Sequence, residues 1–187
     1  MNIIYPKLSS SQLPAMIGYA LLGALVAGFY GIIHDQVTYS ISPEYFTRLK
    51  FEQFRYADFG LAPRVFVAEI GFLATWWVGF IAGWLLARVV VPACPPARAR
   101  GRISAGFAII LSCALAASLL GFALGLLCSP NAGYAAWQGV VTAHGIVDVS
   151  SFVRVAYIHN ASYLGGFGGL VVALIYLRRV RTASIQN

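Results

Sequence analysis

Charged residues are scarce in this chain. Only 10% of its 187 residues are Asp, Glu, Lys or Arg, whereas a soluble domain carries about 25%. Hydrophobic residues make up 59%, and the mean hydropathy is +0.76. This composition excludes a soluble enzyme and a disordered chain, and it predicts a membrane protein.

Cysteine is also scarce, and its spacing carries no metal-binding or redox motif. Cys94, Cys113 and Cys128 lie far apart, without a C-x-x-C pair. A disulfide scaffold and a cysteine-based zinc site are therefore excluded. We expect three unlinked thiols.

Negative charge is the rarer sign, with six acidic against 13 basic residues. The basic residues form no stripe interleaved with aromatic side chains, so a nucleic-acid partner is not expected. In a membrane protein such an excess sets the orientation instead.

Long apolar runs dominate the rest of the sequence. Four of them, at about 15–33, 65–91, 103–128 and 155–177, are long enough for helices that cross about 30 Å of hydrocarbon. The first run is too long for a signal-peptide core and lacks a good cleavage site. We predict an all-α, four-transmembrane-helix bundle forming one integral membrane domain over 1–187, with outer connections 34–64 and 129–154.

Basic residues divide unequally between the two sides of this bundle. One side carries eight of them and no acid: Lys7, Arg88, Arg98, Arg100, Arg102, Arg178, Arg179 and Arg181. The other side carries the remaining five and all six acidic residues. Since positive loops stay in the cytoplasm, we expect a multi-pass protein with both termini cytoplasmic.

Both outer connections carry helix signals. Ser42, Pro43 and Glu44 are typical of a helix start, and aromatic residues then alternate with charged ones. We expect an amphipathic helix that lies in the outer interface or packs as a lid over the span ends. A second short helix is expected from Ser129-Pro130 onward, ending at Gly145.

Each predicted span carries a ridge of small residues spaced by four, which lets helix backbones approach closely in lipid. The ridges are Gly23, Ala27 and Gly31; Gly71, Thr75, Gly79, Gly83 and Ala87; Ala117, Gly121 and Gly125; and Ala161, Gly165, Gly169 and Ala173.

The candidate site lies on the outer side, where all three histidines and all six carboxylates fall. His34 and His159 share a helix face with the small ridges and so point toward neighbouring helices. Glu69 is the one carboxylate inside a predicted span, where ionisable residues are costly. We predict metal ligands among His34, His159, Glu69 and His144, and further ligands or acid–base groups among Asp35, Glu44 and Asp148.

Imidazole and carboxylate ligands suit zinc, iron or copper. A haem held between His34 and His159 is a less favoured alternative. No H-E-x-x-H or similar spacing is present, and structural roles compete with the metal site. His34 and Asp35 can cap the first helix, and Glu69 can pair with Arg64 or Arg154.

Two other functional hypotheses therefore stay open. In one, the chain is a non-catalytic subunit or scaffold, associated with other membrane subunits or with copies of itself. In the other, it forms a small ion or proton pathway, although its spans lack a charged site at the membrane midplane.

One segment carries a resemblance. The run from His34 to Phe46, HDQVTYSISPEYF, resembles a segment of bacterial multi-pass membrane proteins of unassigned function, and His159-Asn160-Ala161-Ser162-Tyr163 is similar to part of the same pattern. The resemblance implies a bacterial inner (cytoplasmic) membrane. It implies no substrate.

Overall fold

Four long helices account for most of the chain in the computed structural model, which describes residues 9–127 and 134–183. We label them α1 (Leu13–Ile41), α2 (Pro63–Val90), α3 (Pro96–Leu127) and α4 (Val149–Ala183). All four are long and apolar enough to cross a membrane. The predicted all-α fold with four long apolar helices and additional short ones is confirmed, and the chain is a multi-pass membrane protein by helix length and composition.

The helices pack as two pairs, α1 with α2 and α3 with α4, and the pairs meet each other less extensively. Glycine seams hold each pair together. A Cβ atom on Gly31 would collide with the Gly71 carbonyl oxygen, and one on Gly121 would collide with the Tyr157 carbonyl oxygen. Because the ridges carry only small residues, no large side chain holds the helix axes apart.

Two apolar clusters join the pairs at opposite ends. At the end bearing the predicted cytoplasmic connection, Met16, Leu86, Ile103, Phe107 and Leu177 from all four helices share one buried core. At the other end, a cluster of buried apolar side chains ties the first outer connection to α2 and α4, through Tyr45, Phe46, Val67, Phe152 and Val153.

The first outer connection forms a folded lid. We use this name for the π-helix Tyr45–Lys50, the short helix Phe51–Gln53 and the 3-10 turn Arg55–Ala57. Within the lid, the side chains of Tyr45 and Phe46 are buried, while those of Arg48 and Glu52 are exposed. The aromatic face therefore points inward, as the alternation of aromatic and charged residues predicts.

A shorter helix, Gln138–His144, lies in the second outer connection. Gly145 ends it in the left-handed conformation (φ 60°), which favours glycine. The predicted helix start at Ser129-Pro130 and the thiol of Cys128 lie outside the described residues, whereas Cys94 and Cys113 are free thiols.

Candidate metal site beneath the lid

The position of the site depends on the length of α1. Its predicted apolar run ends at Ile33, but the helix continues to Ile41 because no glycine or proline interrupts residues 34–41. It stops at Ser42, whose extended backbone (φ −142°) is the conformation favoured before a proline, here Pro43. This extra length carries His34, Asp35 and Thr38 past the apolar span on one helix.

His159 approaches these residues from α4, in the other helix pair. One ligand atom each from His34, Asp35 and His159 lie within 4.8 Å of one another. The Nε2 atom of His159 is 3.8 Å from Oδ1 of Asp35. Asp35 and His159 are only 4% and 1% exposed, so these two side chains are held out of water, whereas His34 is partly buried.

The imidazole of His34 is incompletely satisfied. Its Nε2 atom is buried and has no hydrogen-bond partner in the part of the chain that the structure describes. A buried polar atom without a partner costs free energy. Such an atom beside a second imidazole and a carboxylate is the arrangement expected of a metal site.

Two hydroxyl groups flank His159. Thr38 Oγ1 lies 3.2 Å from Nε2, and Tyr163 Oη lies 3.4 Å from Nδ1. The Thr38 hydroxyl also lies 3.0 Å from the His34 carbonyl oxygen, to which it can donate, and the tautomer of His159 decides which atom donates between Thr38 Oγ1 and Nε2. Both ring nitrogens of His159 therefore have partners, and these fix the orientation of the ring.

Aromatic rings pack on both sides of the His34–His159 pair. Tyr45 of the lid stacks on His159 with centroids 4.9 Å apart, and His159 meets His34 edge to face at 4.7 Å. On the far side, Tyr30 stacks on His34 at 5.6 Å, and its hydroxyl lies 2.9 Å from Ser162 Oγ. These contacts hold the two imidazoles between the lid and the bundle interior.

The lid also brings a positive charge to the site. Lys50 Nζ lies 6.0 Å from the centre of the Tyr45 ring that covers His159. Burial lowers the pKa of the Lys50 ammonium below its ordinary value, and the Asp35 carboxylate opposes that shift. Burial also raises the pKa of the Tyr45 phenol, so its hydroxyl stays protonated at neutral pH.

Other predicted site residues lie outside the group. The structure does not bring Glu69 into it: Glu69 lines a separate apolar groove with Ile32 and Phe72. His144 ends the short helix of the second outer connection and is not part of the group either.

The carboxylates of Glu44 and Asp148 instead accept hydrogen bonds from backbone N–H groups. Glu44 Oε2 accepts hydrogen bonds from the backbone N–H groups of Val147, at 3.1 Å, and Asp148, at 2.7 Å, and so joins the two outer connections. Asp148 accepts from the Ser151 backbone N–H at the start of α4. Hydrogen bonds from Ser151 hold the pKa of Asp148 below its ordinary value.

Sequence reasoning missed three contributors to the site, namely Thr38, Tyr45 and Lys50. Thr38 could have been found, because it lies four residues after His34 and shares its helix face if α1 continues. Tyr45 and Lys50 reach the site only through the way the lid folds back over α4. No spacing in the sequence carries that information.

Comparison with known proteins finds no matching family, no similar curated protein and no similar solved structure. What the site does must therefore be argued from its own chemistry.

Proposed function

We propose that this protein binds a transition-metal ion through His34, Asp35 and His159, on the outer side of a bacterial inner membrane. The observation that carries the proposal is that ligand atoms of His34, Asp35 and His159, from two helix pairs, lie close together. The buried Nε2 atom of His34 has no hydrogen-bond partner among the described residues. Placing such groups inside an apolar bundle is costly, and a bound cation would offset that cost.

The donor set favours particular metals. Two imidazoles and one carboxylate occur in catalytic zinc sites and in non-haem iron(II) sites, both of which keep open positions for water or substrate. Copper also accepts imidazole ligands. A haem fits poorly, because the edge-to-face contact of the two histidine rings at 4.7 Å leaves no room for a macrocycle between them.

A metal with an open position supports catalysis. A bound ion lowers the pKa of a coordinated water and so supplies a nucleophile at neutral pH. In this proposal Asp35 is a ligand, and the Lys50 ammonium favours an anionic group at the open position. We assign Glu44 and Asp148 to holding the lid, since their oxygens accept backbone hydrogen bonds.

The placement of the site follows from charge. The predicted distribution of basic residues puts the lid outside and both termini in the cytoplasm. The resemblance of the His34–Phe46 segment supports a bacterial inner membrane. We also propose that residues 1–187 act as one membrane domain, because the site needs ligands from both helix pairs.

Metal content of the purified protein tests the proposal. We expect about one ion per chain after loading with zinc, iron(II) or copper, and loss of that ion in His34→Ala and His159→Ala. His144→Ala is the matched control and should keep the metal. All variants should still insert, because insertion depends on the apolar spans. A wild type that takes up no metal, or histidine variants that retain it, would overturn the proposal.

A second candidate, a non-catalytic scaffold, is favoured by the hydrogen bond between Thr38 and His159. In that case the Nε2 proton of His159 stays on the ring and the polar group only fastens α4 to α1. Thr38→Val separates the two functions. If the protein is a scaffold, Thr38→Val should lower its stability, because the hydrogen bond between Thr38 and His159 is lost. If the protein is a metal site, Thr38→Val should retain its ion, because Nε2 of His159 is then committed to the metal.

A further inference from the structure

The lid places one basic side chain beside the proposed metal ligands. Lys50 is partly buried, and its Nζ atom lies 6.0 Å from the centre of the Tyr45 ring and 5.8 Å from the centre of the Phe54 ring. The Tyr45 ring in turn stacks on His159. Since ammonium groups are attracted to aromatic faces at such distances, the two rings hold the charge of Lys50 next to the site.

The π-helix of the lid directs Lys50 inward. Tyr45 and Lys50 are the first and last residues of this helix, and the hydrogen bonds of a π-helix join residues five apart. Residues five apart therefore lie near one face of it, whereas in an α-helix they would be separated by about 140°, because each residue turns that helix by about 100°. Since Tyr45 is buried, the π-helix turns Lys50 toward the site.

The ammonium group of Lys50 acts on the site through its charge and not through a close ion pair. It interacts electrostatically with the Asp35 carboxylate, and its charge also reaches the imidazoles of His34 and His159. Among the described residues, no carboxylate lies within 4.0 Å of its Nζ atom. Lys50 therefore supplies positive charge to Asp35 without being fixed to it.

A divalent metal ion on His34, Asp35 and His159 changes this charge balance. The ion brings two positive charges to a single carboxylate, and like charges repel strongly in a partly buried site. The flexible side chain of Lys50 relieves this repulsion when it moves out to solvent. A negatively charged ligand on the ion removes the repulsion and forms a charge-assisted hydrogen bond with the ammonium group.

We propose that the site takes an oxyanion such as a carboxylate, bound between the metal ion and the Lys50 ammonium, an inference that rests on the proposed metal site. Lys50 lies beside Asp35 in the metal-free protein, moves out when the ion binds alone, and returns when the anion follows. An oxyanion fits this position because one of its oxygens coordinates the ion while another accepts a hydrogen bond from the ammonium group.

The small number of lysines allows a direct test. Lys7 and Lys50 are the only two in the chain, so Lys7→Arg leaves one signal in the magnetic resonance spectrum of the full chain with isotope-labelled lysine. Aromatic rings shift the resonances of methylene groups beside them. We expect the Lys50 signal to differ from that of a solvated lysine, to move to the solvated value with zinc, and to return with acetate. Acetamide has the shape of acetate without its charge and should not restore the signal.

The zinc content of the same samples separates this proposal from the metal site on which it rests. If zinc binds but the Lys50 signal does not move, or acetate does not restore it, the anion proposal is wrong and the metal site stands. If no zinc binds, both are wrong. His34→Ala should not hold the ion and is the control, so zinc should leave its Lys50 signal unchanged.

The affinity for the anion gives a second readout. In the cobalt-loaded protein, the visible absorption of the ion reports the entry of acetate. We expect Lys50→Met to bind acetate about tenfold more weakly than the wild type, the size expected for one hydrogen bond between charged groups. Arg48→Met removes an exposed charge from the same π-helix and should bind acetate as the wild type does. Equal acetate affinity in Lys50→Met and the wild type would overturn the proposal.

Discussion

Lys50 is the residue whose charge opposes a bound cation most directly. It reaches over Tyr45, which stacks on His159, and it interacts electrostatically with Asp35. A positive charge at this position weakens the binding of a metal ion and strengthens the binding of an anion on that ion. In the proposed metal site, Lys50 would therefore lower the affinity for the metal and favour a negatively charged ligand on it.

Removing this charge should tighten metal binding. We expect Lys50→Met, which keeps an apolar stem under the lid, to lower the dissociation constant for zinc by about tenfold, since charges act strongly over short distances in a partly buried site. The measurement is competition with a chelator of known affinity. Arg48→Met removes an exposed charge from the same π-helix and should leave the affinity unchanged. Weaker binding in Lys50→Met would contradict this role.

At the scale of helices, the seam between α1 and α2 carries much of the packing. Gly31 and Gly71 face each other so closely that neither has room for a Cβ atom. Thr75 adds to the seam, since its hydroxyl lies 2.8 Å from the carbonyl oxygens of Ala27 and Gly71. The seam lies one turn below His34, so it also sets the height of the site.

Adding one methyl group to the seam should be costly. We predict that Gly31→Ala lowers the free energy of unfolding by about 1–3 kcal/mol, the usual range for overpacking. Gly18→Ala is the matched control on the same helix, because a Cβ atom there meets nothing within 4 Å. Unfolding in a detergent titration measures both. Equal stability of the two variants would contradict the prediction, because α1 and α2 would then have moved apart at Gly31 without a loss of stability.

Several features of the helices could be predicted from the sequence. Apolar run length predicts the four long helices, and the four-residue ridges predict faces that the structure finds at the glycine seams. The faces of His34 and His159 predict that both histidines point at neighbouring helices, and their rings are in contact. These features follow from periodicity within single helices.

The rest of the site depends on how elements meet. Hydropathy ends the first span at Ile33, because His34 and Asp35 are polar, although α1 continues to Ile41. The folding back of the lid places Tyr45 and Lys50. Glu69 has the residue type and depth of a ligand but lines a different groove. Helix phase and lid packing decide these placements, and neither can be read from one sequence.

At the scale of the whole molecule, the charge distribution predicts the orientation in the membrane. With all six carboxylates and all three histidines on the lid side, the connection that contains Cys94 should face the cytoplasm. We predict that a membrane-impermeant maleimide applied to intact cells leaves Cys94 unlabelled in a variant without the other cysteines. Permeabilised cells should allow labelling. Thr47→Cys, on the exposed face of the lid, should be labelled in intact cells; the reverse pattern would invert the topology.

The central claim is that one metal ion joins the two helix pairs through α1 and α4. X-ray absorption at the metal edge tests it most directly, using the purified wild-type protein loaded with zinc. The account predicts nitrogen and oxygen ligands at about 2.0–2.2 Å with the outer-shell scattering of two imidazoles, and it predicts that His159→Ala loses the zinc signal because that variant no longer holds the ion. A spectrum of bound zinc without imidazole scattering, or one unchanged by His159→Ala, would contradict it.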